Sequence, residues 1–147
     1  MTVQDLIGSR SDVYSIPAEM TVHDAARYLR DRQVRAVGVV DPPGRLVGVV
    51  SQSDISDKVA AENKCPAWMR VSEIMSRGLV TVTPDRSLHD CLRLLEQNGI
   101  YHLLVVDATG AYRGMVSVTD MVTLIASDEK ARADMLEAFV FDRTAGS

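Results

Sequence analysis

The chain has 147 residues, of which 46% are apolar, so it can bury a core and is not a disordered chain. Its 20 acidic and 16 basic residues give a formal charge of −4, which argues against wrapping nucleic acid. The apolar runs are too short for a membrane span. The N-terminus lacks the positive start and apolar run of a signal peptide, so we expect a cytoplasmic protein.

The two cysteines, Cys65 and Cys91, lie far apart in the sequence and lack CxxC spacing. In a chain without an export signal, this pattern favours two reduced thiols over a disulfide or a zinc pair. Cys91 falls on the apolar face of a predicted helix, where we expect a buried and inert thiol.

An internal repeat is the strongest pattern in the sequence. Sliding the chain on itself by 66 residues aligns 16–57 with 82–123 without a gap, and 12 of the 42 pairs are identical. Random pairing at ordinary composition would give about three. The two halves therefore arose by duplication and are predicted to share one fold.

Each copy is predicted to contain a strand, a helix, two more strands and a second helix, preceded by a short helix. The first strands end near proline, the middle strands are near-continuous apolar runs, and the helices keep apolar residues at helical spacing. The predictions for the first copy are helix 2–8, strand 13–17, a helix capped by Thr21, strands 34–41 and 45–50, and a helix from Ser51. Those for the second are helix 71–75, strand 79–83, a helix capped by Ser87, strands 100–107 and 111–116, and a helix from Ser117.

These elements divide the chain into two units, residues 1–62 and 71–126, joined by a linker at 63–70. Within the linker, Trp68 is expected to fold onto the core. Residues 127–147 are predicted to form a C-terminal helix and tail. That helix has Ala131, Met135, Ala138 and Phe139 on one face, and we expect it to pack on the body or on a second subunit.

Each second helix begins with a hydroxyl residue followed three positions later by a carboxylate, Ser51 with Asp54 and Ser117 with Asp120. A helix start offers unpaired N–H groups to a phosphate, and an aspartate accepts hydrogen bonds from ribose hydroxyls. The same spacing is also a capping box without any ligand. Both roles are compatible, and the duplication favours ligand contact at these positions.

The duplicated unit resembles a CBS domain, and the chain resembles a tandem CBS pair of the small stand-alone bacterial type. The residues in question are Val39-Val40-Asp41 with Gly48-Val49-Val50-Ser51-x-x-Asp54, and Val105-Val106-Asp107 with Gly114-Met115-Val116-Ser117-x-x-Asp120. The resemblance implies an α+β fold of two β-α-β-β-α units in pseudo-two-fold tandem, followed by a C-terminal helix.

The resemblance also implies two clefts for adenine-bearing ligands such as AMP, ADP or ATP, or less often S-adenosylmethionine or a dinucleotide. The aspartates would hold the ribose, the hydroxyl residues would meet the phosphate, and His102 occupies a position that is often basic in the family. The adenine would lie against the first strand of the second copy in one cleft and against the first strand of the first copy in the other. The residues so implied are Asp54 and Asp120 for ribose; Ser51, Ser117, Thr119 and His102 for phosphate; and Thr81, Val82 and Thr83, or Ser15, Ile16 and Pro17, for adenine.

Several residues depart from the family's pattern or have a simpler interpretation. Gly38 and Leu104 stand where proline is common, and Ser53 stands where stand-alone relatives often have arginine. His102 also fits a half-buried strand histidine with no ligand role. Because Arg35 and Ala36 align with Tyr101 and His102, the clefts should differ, and we favour the one with Asp120.

Two functions of different kinds follow. One is a regulatory module that binds an adenine nucleotide, needs no other cofactor and catalyses no reaction. The other is an interaction or dimerisation module with empty clefts. An enzyme is disfavoured because the sequence has no HExxH, Walker loop or Gly-rich dinucleotide fingerprint. The expected partners are a small nucleotide and a second copy of the chain, with neither nucleic acid nor membrane.

Overall fold

The computed structural model describes residues 1–8, 13–128 and 133–140. The first copy contains helix α1 (Val3–Ile7), strand β1 (Ser15–Pro17), helix α2 (Val22–Arg32), strands β2 (Ala36–Val40) and β3 (Leu46–Ser51), and helix α3 (Gln52–Ile55). Helix α3 continues as a π-helical turn (Ser56–Ala60), and a 3-10 turn (Pro66–Trp68) lies in the linker. The second copy contains α4 (Val71–Ile74), β4 (Thr81–Val82), α5 (Leu88–Asn98), β5 (His102–Val106), β6 (Tyr112–Ser117) and α6 (Val118–Ser127). Residues 133–140 form a further helix, α7.

The strands form two three-stranded sheets of the same topology, with orders β1-β2-β3 and β4-β5-β6. In each sheet the first pair is parallel and the second pair is antiparallel. Ser15 pairs with Gly38, Thr81 pairs with Leu104, and these two pairs are 66 residues apart. The predicted fold class, two α+β units in tandem, is therefore confirmed.

The longest helix of each copy begins and ends in the same way. Thr21 and Ser87 each accept a hydrogen bond, at 3.1 Å, from the amide of an aspartate three residues on. Both helices end in a left-handed residue, Gly99 with φ 62° and Gln33 with φ 56°. Glutamine adopts this backbone turn at a cost of roughly 1–2 kcal/mol, whereas glycine has no Cβ to clash there.

The short helices α1 and α4 are exchanged between the two units. Val3 and Ile7 of α1 lie in the core of the second unit, whereas Val71 and Ile74 of α4 lie in the core of the first. Backbone hydrogen bonds attach each short helix to the opposite unit. The Val3 N–H donates to the Arg86 carbonyl, and the Val71 N–H donates to the Met20 carbonyl, each at 2.9 Å. The domain boundaries predicted from the repeat did not include this exchange.

The prediction that Trp68 folds onto the core is wrong, because its side chain is 85% exposed. Trp68 ends a three-residue 3-10 turn, in which successive side chains point in different directions. The following residue, Met69, packs against the first core in its place. Both residues are apolar, so the pattern alone did not show which of them faces inward.

The C-terminal helix α7 packs on the second unit. Met135 contacts the core there, and the Phe139 ring meets the His89 ring edge to face at 5.9 Å between centroids. Residues 129–132, including Ala131, and 141–147 lie outside the described residues. Among the helices that the structure describes, none has both the length and the apolar character to cross a bilayer.

The two thiols differ in environment. Cys91 is fully buried in the second core, as predicted, and burial raises its pKa to about 11. Cys65 is exposed in the linker. At neutral pH the Cys91 thiol therefore stays protonated and is a poor nucleophile.

A glycine of the first unit lies directly under an aromatic ring of the second. A Cβ built on Gly38 would lie 2.6 Å from Cζ of Tyr112, well inside van der Waals contact. In the other copy the corresponding residues are Leu104 and Leu46. The close approach of β2 and β6 thus depends on pairing glycine with tyrosine.

Replacing Gly38 with alanine should destabilise the chain by about 1–3 kcal/mol, because the Tyr112 ring must move. Denaturant unfolding measures the change. Gly78→Ala is the matched control, since no described atom lies within 4 Å of a Cβ built there. The cost should shrink in a Tyr112→Leu background, and an equal cost in both backgrounds would show that the ring is not the obstacle.

Candidate functional site

A cavity of about 980 Å³ opens between the two units and contains the second carboxylate motif. Its walls are the start of β2, the start of β5, strand β6, the first turn of α6, and the two residues before β1. We call it the Asp120 cleft. Both units contribute to its lining, so its shape depends on how they pack together.

The first turn of α6 places a carboxylate and two hydroxyls at the edge of the cleft. The Ser117 side chain accepts a hydrogen bond from the Asp120 amide, and the Asp120 carboxylate accepts one from the Ser117 amide, both at 3.0 Å. This capping box fixes the position of the carboxylate, and exposed Thr119 lies between the two. The positive end of the helix dipole adds to the attraction for an anion.

His102 lies at the start of β5 and pairs with Ser117 across the sheet. Burial lowers the pKa of His102, nearby Asp120 partly offsets that shift, and the positive charge of Arg35 lowers the pKa further. The imidazole is therefore mostly neutral at pH 7 and can accept or donate one hydrogen bond.

Three of the chain's four tyrosines, Tyr14, Tyr101 and Tyr112, line the cleft. The fourth, Tyr28, meets the Tyr14 ring edge to face at 6.3 Å. The Arg32 guanidinium lies 3.6 Å from the centre of the Tyr28 ring and 5.7 Å from that of Tyr14. These contacts with Tyr28 and Arg32 help to fix the position of the Tyr14 ring, which supplies an aromatic surface to the cleft.

Of the residues predicted for ligand contact, Ser117, Thr119, Asp120 and His102 all line this one cleft. The predicted adenine strand, Ser15 to Pro17, lies next to it, and Ile16 is buried in the first core. The cleft wall instead begins at Val13 and Tyr14. The strand enters the core at Ile16, so the residues just before it remain at the surface.

The first carboxylate motif has the same cap but different surroundings. Asp54 accepts hydrogen bonds from the amide and hydroxyl of Ser51, at 2.9 and 3.1 Å. Its second oxygen lies 3.0 Å from Nζ of Lys58, and the Asp54 side chain is only 12% exposed. Lys58 lies in the π-helical turn and also donates to the Ile74 carbonyl at 2.8 Å. Both oxygens of Asp54 therefore contact protein donors.

The strand beside Asp54 is also covered by the chain itself. Met75 packs directly on Gly48, and Ser76 exchanges two backbone hydrogen bonds with Val49. At Gly114, the equivalent of Gly48, no described atom lies within 4 Å of a built Cβ. Of the remaining predicted residues, Thr81 and Val82 form β4 at the edge of the second sheet, and Thr83 directly follows it. Val82 is buried in the second core.

Sequence reasoning missed the cationic side chains of the Asp120 cleft, Arg35 and Arg113. Arg113 lies 3.8 Å from the Asp107 carboxylate. Arg35 belongs to the first unit, and its position in the cleft follows only from the way the units pack. One feature of the sequence indicated a role for Arg35. It differs from its aligned residue Tyr101, directly before the position where Ala36 aligns with His102.

The fold and the cleft define a duplicated α+β module with a ligand-sized cavity between its halves. The sequence model of the CBS domain matches residues 3–61 and again residues 71–127. The chain therefore belongs to the CBS-domain family and is a tandem pair of CBS domains.

Comparison with known proteins agrees with this assignment. A CBS-domain protein of Burkholderia ambifaria is similar with a TM-score of 0.80 and 26% identity, covering 87% of this chain and 96% of that one. The CBS domain pair of protein MJ0100, in complex with 5′-methylthioadenosine and S-adenosyl-L-methionine, is similar in fold with a TM-score of 0.77, 24% identity and coverage of 86% and 97%.

A curated relative, the mitochondrial CBS domain-containing protein CBSX3 of Arabidopsis thaliana, is 28% identical over 124 residues, which are 82% of this chain and 60% of the relative. Two others, from Methanocaldococcus jannaschii and Acidianus ambivalens, are matched over 37% and 65% of their lengths. The chain thus spans less than two thirds of the curated relatives it matches here.

The environment of His102 predicts a pH dependence of stability. In the folded chain the pKa of His102 is below the value of 6.5 that it has in the unfolded chain. At a pH between these two pKa values, the unfolded chain binds a proton at His102 and the folded chain does not, so a falling pH favours unfolding. The stability of the chain should therefore be highest above about pH 6.5 and decline as the pH falls toward the folded pKa. Urea unfolding between about pH 5 and pH 8 measures the slope.

The variant His102→Gln should flatten that slope, while His23→Gln, at an exposed histidine, should leave it unchanged. Arg35 and Asp120 are the charges that act on His102, so both are kept in these variants. If stability changes equally with pH in the wild-type chain and in His102→Gln, the pH dependence does not come from His102.

Proposed function

We propose that the chain is a regulatory module that binds an adenosine-containing nucleotide (AMP, ADP or ATP) in the Asp120 cleft and catalyses no reaction of its own. The observation that supports this most directly is the meeting of a helix start, a fixed carboxylate and a histidine in one cavity. Its volume of about 980 Å³ is in the range of small-molecule sites.

The chemistry of the cleft suggests how the ligand lies. The Asp120 carboxylate accepts hydrogen bonds from the two ribose hydroxyls. The phosphate lies at the start of α6, near Ser117, Thr119 and His102, where amide groups and the helix dipole favour an anion. The purine then lies toward the wall that contains Tyr14, which offers an aromatic face.

A ligand in this position contacts both units at once. It therefore favours the arrangement of the two units in which those contacts fit best, and its regulatory effect equals the difference in its affinity for the two arrangements. Residues from either side of the cleft would transmit occupancy to a protein that recognises the module.

Melting with a panel of AMP, ADP, ATP, NAD, S-adenosylmethionine and 5′-methylthioadenosine tests the proposal. A ligand at 100 times its dissociation constant adds about 2.7 kcal/mol, which raises the melting temperature by roughly 5–10 °C for a chain of this size. Stabilisation by an adenine nucleotide supports nucleotide sensing. A response to sulfonium or dinucleotide ligands alone would replace the proposed ligand, and no response at all would favour a module with empty clefts.

The matched pair Asp120→Ala and Asp54→Ala locates the site. Each removes the carboxylate that accepts a capping-box hydrogen bond from a serine amide, so each should cost about 1.5–3 kcal/mol of stability in the absence of ligand. Only Asp120→Ala should also abolish the ligand-induced shift. Loss of the shift in Asp54→Ala, with Asp120→Ala still responsive, would place the ligand in the other cleft.

We also propose that two copies of the chain pair through the surface around α6 and α7. An apolar groove of about 630 Å³ lies there, lined by residues such as Val122, Ile125 and Phe139. Leu136 and Val140 beside it are 61% and 65% exposed. Exposed apolar side chains grouped on one face support an interface with a second copy.

Light scattering of the variant Leu136→Lys tests this pairing. The wild-type chain should have twice the mass of a single chain, and Leu136→Lys should lower that mass toward one chain because a charge enters the apolar interface. Glu137→Lys, at the next and exposed position, is the control and should stay paired. A monomeric wild-type chain, or a Leu136→Lys variant that remains dimeric, would contradict the proposal.

A further inference from the structure

Lys58 connects the carboxylate motif of the first copy to the end of an exchanged helix. Its Nζ lies 3.0 Å from Oδ1 of Asp54 and donates a hydrogen bond to the Ile74 carbonyl at 2.8 Å. Ile74 is the last residue of α4, and the final carbonyls of a helix have no partner within it. One ammonium group therefore contacts a carboxylate of the first copy and a helix-end carbonyl of the second.

The local structure places Lys58 beside Asp54. It lies four residues after Asp54, in the π-helical turn Ser56–Ala60, so the two side chains project from the same side of one helical segment. The Asp54 side chain is 12% exposed and the Lys58 side chain is 46% exposed. Lys58 is thus a surface residue whose charged end reaches a mostly buried carboxylate.

The ammonium group lies where a ribose hydroxyl would bind Asp54. Oδ2 of Asp54 accepts hydrogen bonds from both the amide and the hydroxyl of Ser51, which leaves Oδ1 for a ligand. Oδ1 is the atom that Lys58 contacts. A ribose that used this oxygen would have to displace the ammonium from its carboxylate partner, and that loss lowers the affinity for the ribose.

The residues directly after Ile74 cover strand β3, which leads to Asp54. Ser76 exchanges two backbone hydrogen bonds with Val49 of that strand, at 2.8 and 3.0 Å. Because Lys58 binds the Ile74 carbonyl, it holds the start of this covering segment beside the carboxylate. Lys58 therefore contacts the ligand oxygen of Asp54 and also fastens the segment that lies over the strand.

The second copy does not have this arrangement. The residue that aligns with Lys58 is Leu124, whose apolar side chain packs against the second core and cannot donate to a carboxylate. Helix α6 passes through this position as a regular α-helix, from Val118 to Ser127. The carboxylate that precedes it, Asp120, lines an open cleft. The exchange of lysine for leucine thus accompanies the difference between the two copies.

We propose that Lys58 takes the place of a ligand at the Asp54 carboxylate and keeps the first-copy site closed, so that the module binds one nucleotide per chain. This inference rests on the proposed function and adds to it a residue that determines how many ligands the chain binds. Replacing Lys58 with leucine, as in the second copy, should release Oδ1 of Asp54 and the segment after Ile74. A second site should then open.

Isothermal titration calorimetry of the whole chain with ADP measures the number of sites. The wild-type chain should bind one ADP at saturation, and Lys58→Leu should bind two. In the double variant Lys58→Leu with Asp54→Ala the number should return to one, because the second ribose loses its carboxylate. The matched control is Lys64→Leu, at an exposed lysine of the linker, which should still bind one ADP.

Amide hydrogen exchange without ligand, measured residue by residue by NMR, tests the closing contact independently. The amides of Ser76 and Val49 donate to each other's carbonyls, so their exchange reports the opening of the covering segment. In Lys58→Leu both amides should exchange about fivefold faster or more, since the hydrogen bond to the Ile74 carbonyl is lost. In Lys64→Leu they should exchange as in the wild-type chain.

The possible failures are distinguishable. If the wild-type chain binds no ADP, the proposed function is wrong, and the exchange of Ser76 still decides the role of Lys58: faster exchange in Lys58→Leu supports it, and unchanged exchange overturns it. If the wild-type chain binds two ADP, or Lys58→Leu binds only one, the role of Lys58 is overturned and the site at Asp120 stands. A second ADP that persists in the double variant would also overturn it, because that ADP does not use Asp54.

Discussion

The exchange of the two short helices is the constraint on which the rest of the structure depends. Helix α1 completes the core of the second unit, and helix α4 completes the core of the first. Separating the units would expose Val3 and Val71, both fully buried, and would break the backbone hydrogen bonds beside them. Because the exchanged helices hold the units together, residues from both can line one cleft.

Duplication produced two similar halves, and a few substitutions made their clefts different. Lys58 in the first copy reaches Asp54, whereas the aligned residue in the second copy is Leu124. The π-helical turn that contains Lys58 occurs only in the first copy among the described residues, and such turns are frequent at specialised sites. Backbone pairing of Ser76 with Val49 then covers the strand beside Asp54. The asymmetry thus comes from local contacts within one shared fold.

Much of the fold could be predicted from the sequence because helix and strand periods are local properties. The caps at Thr21 and Ser87 were predicted from short-range patterns and are present. The outward side chain of Trp68 was not predictable, since its neighbour Met69 satisfies the same apolar pattern. The exchange of α1 and α4 was missed for a related reason: repeat alignment shows which segments are equivalent but not which core each one joins.

The part of the candidate site that lies within the second unit was also predictable from the sequence. Ser117, Thr119, Asp120 and His102 lie close together because they belong to one helix start and one adjacent strand, which the repeat made visible. Arg35 and Tyr14 join them from the other unit, and only the packing of the units brings them there. A crystal structure of the chain with ADP tests the account most directly. It should show the ribose hydroxyls on the Asp120 carboxylate and the phosphates at the start of α6, beside Ser117 and His102. ADP bound at Asp54, or bound away from Asp120, would contradict it.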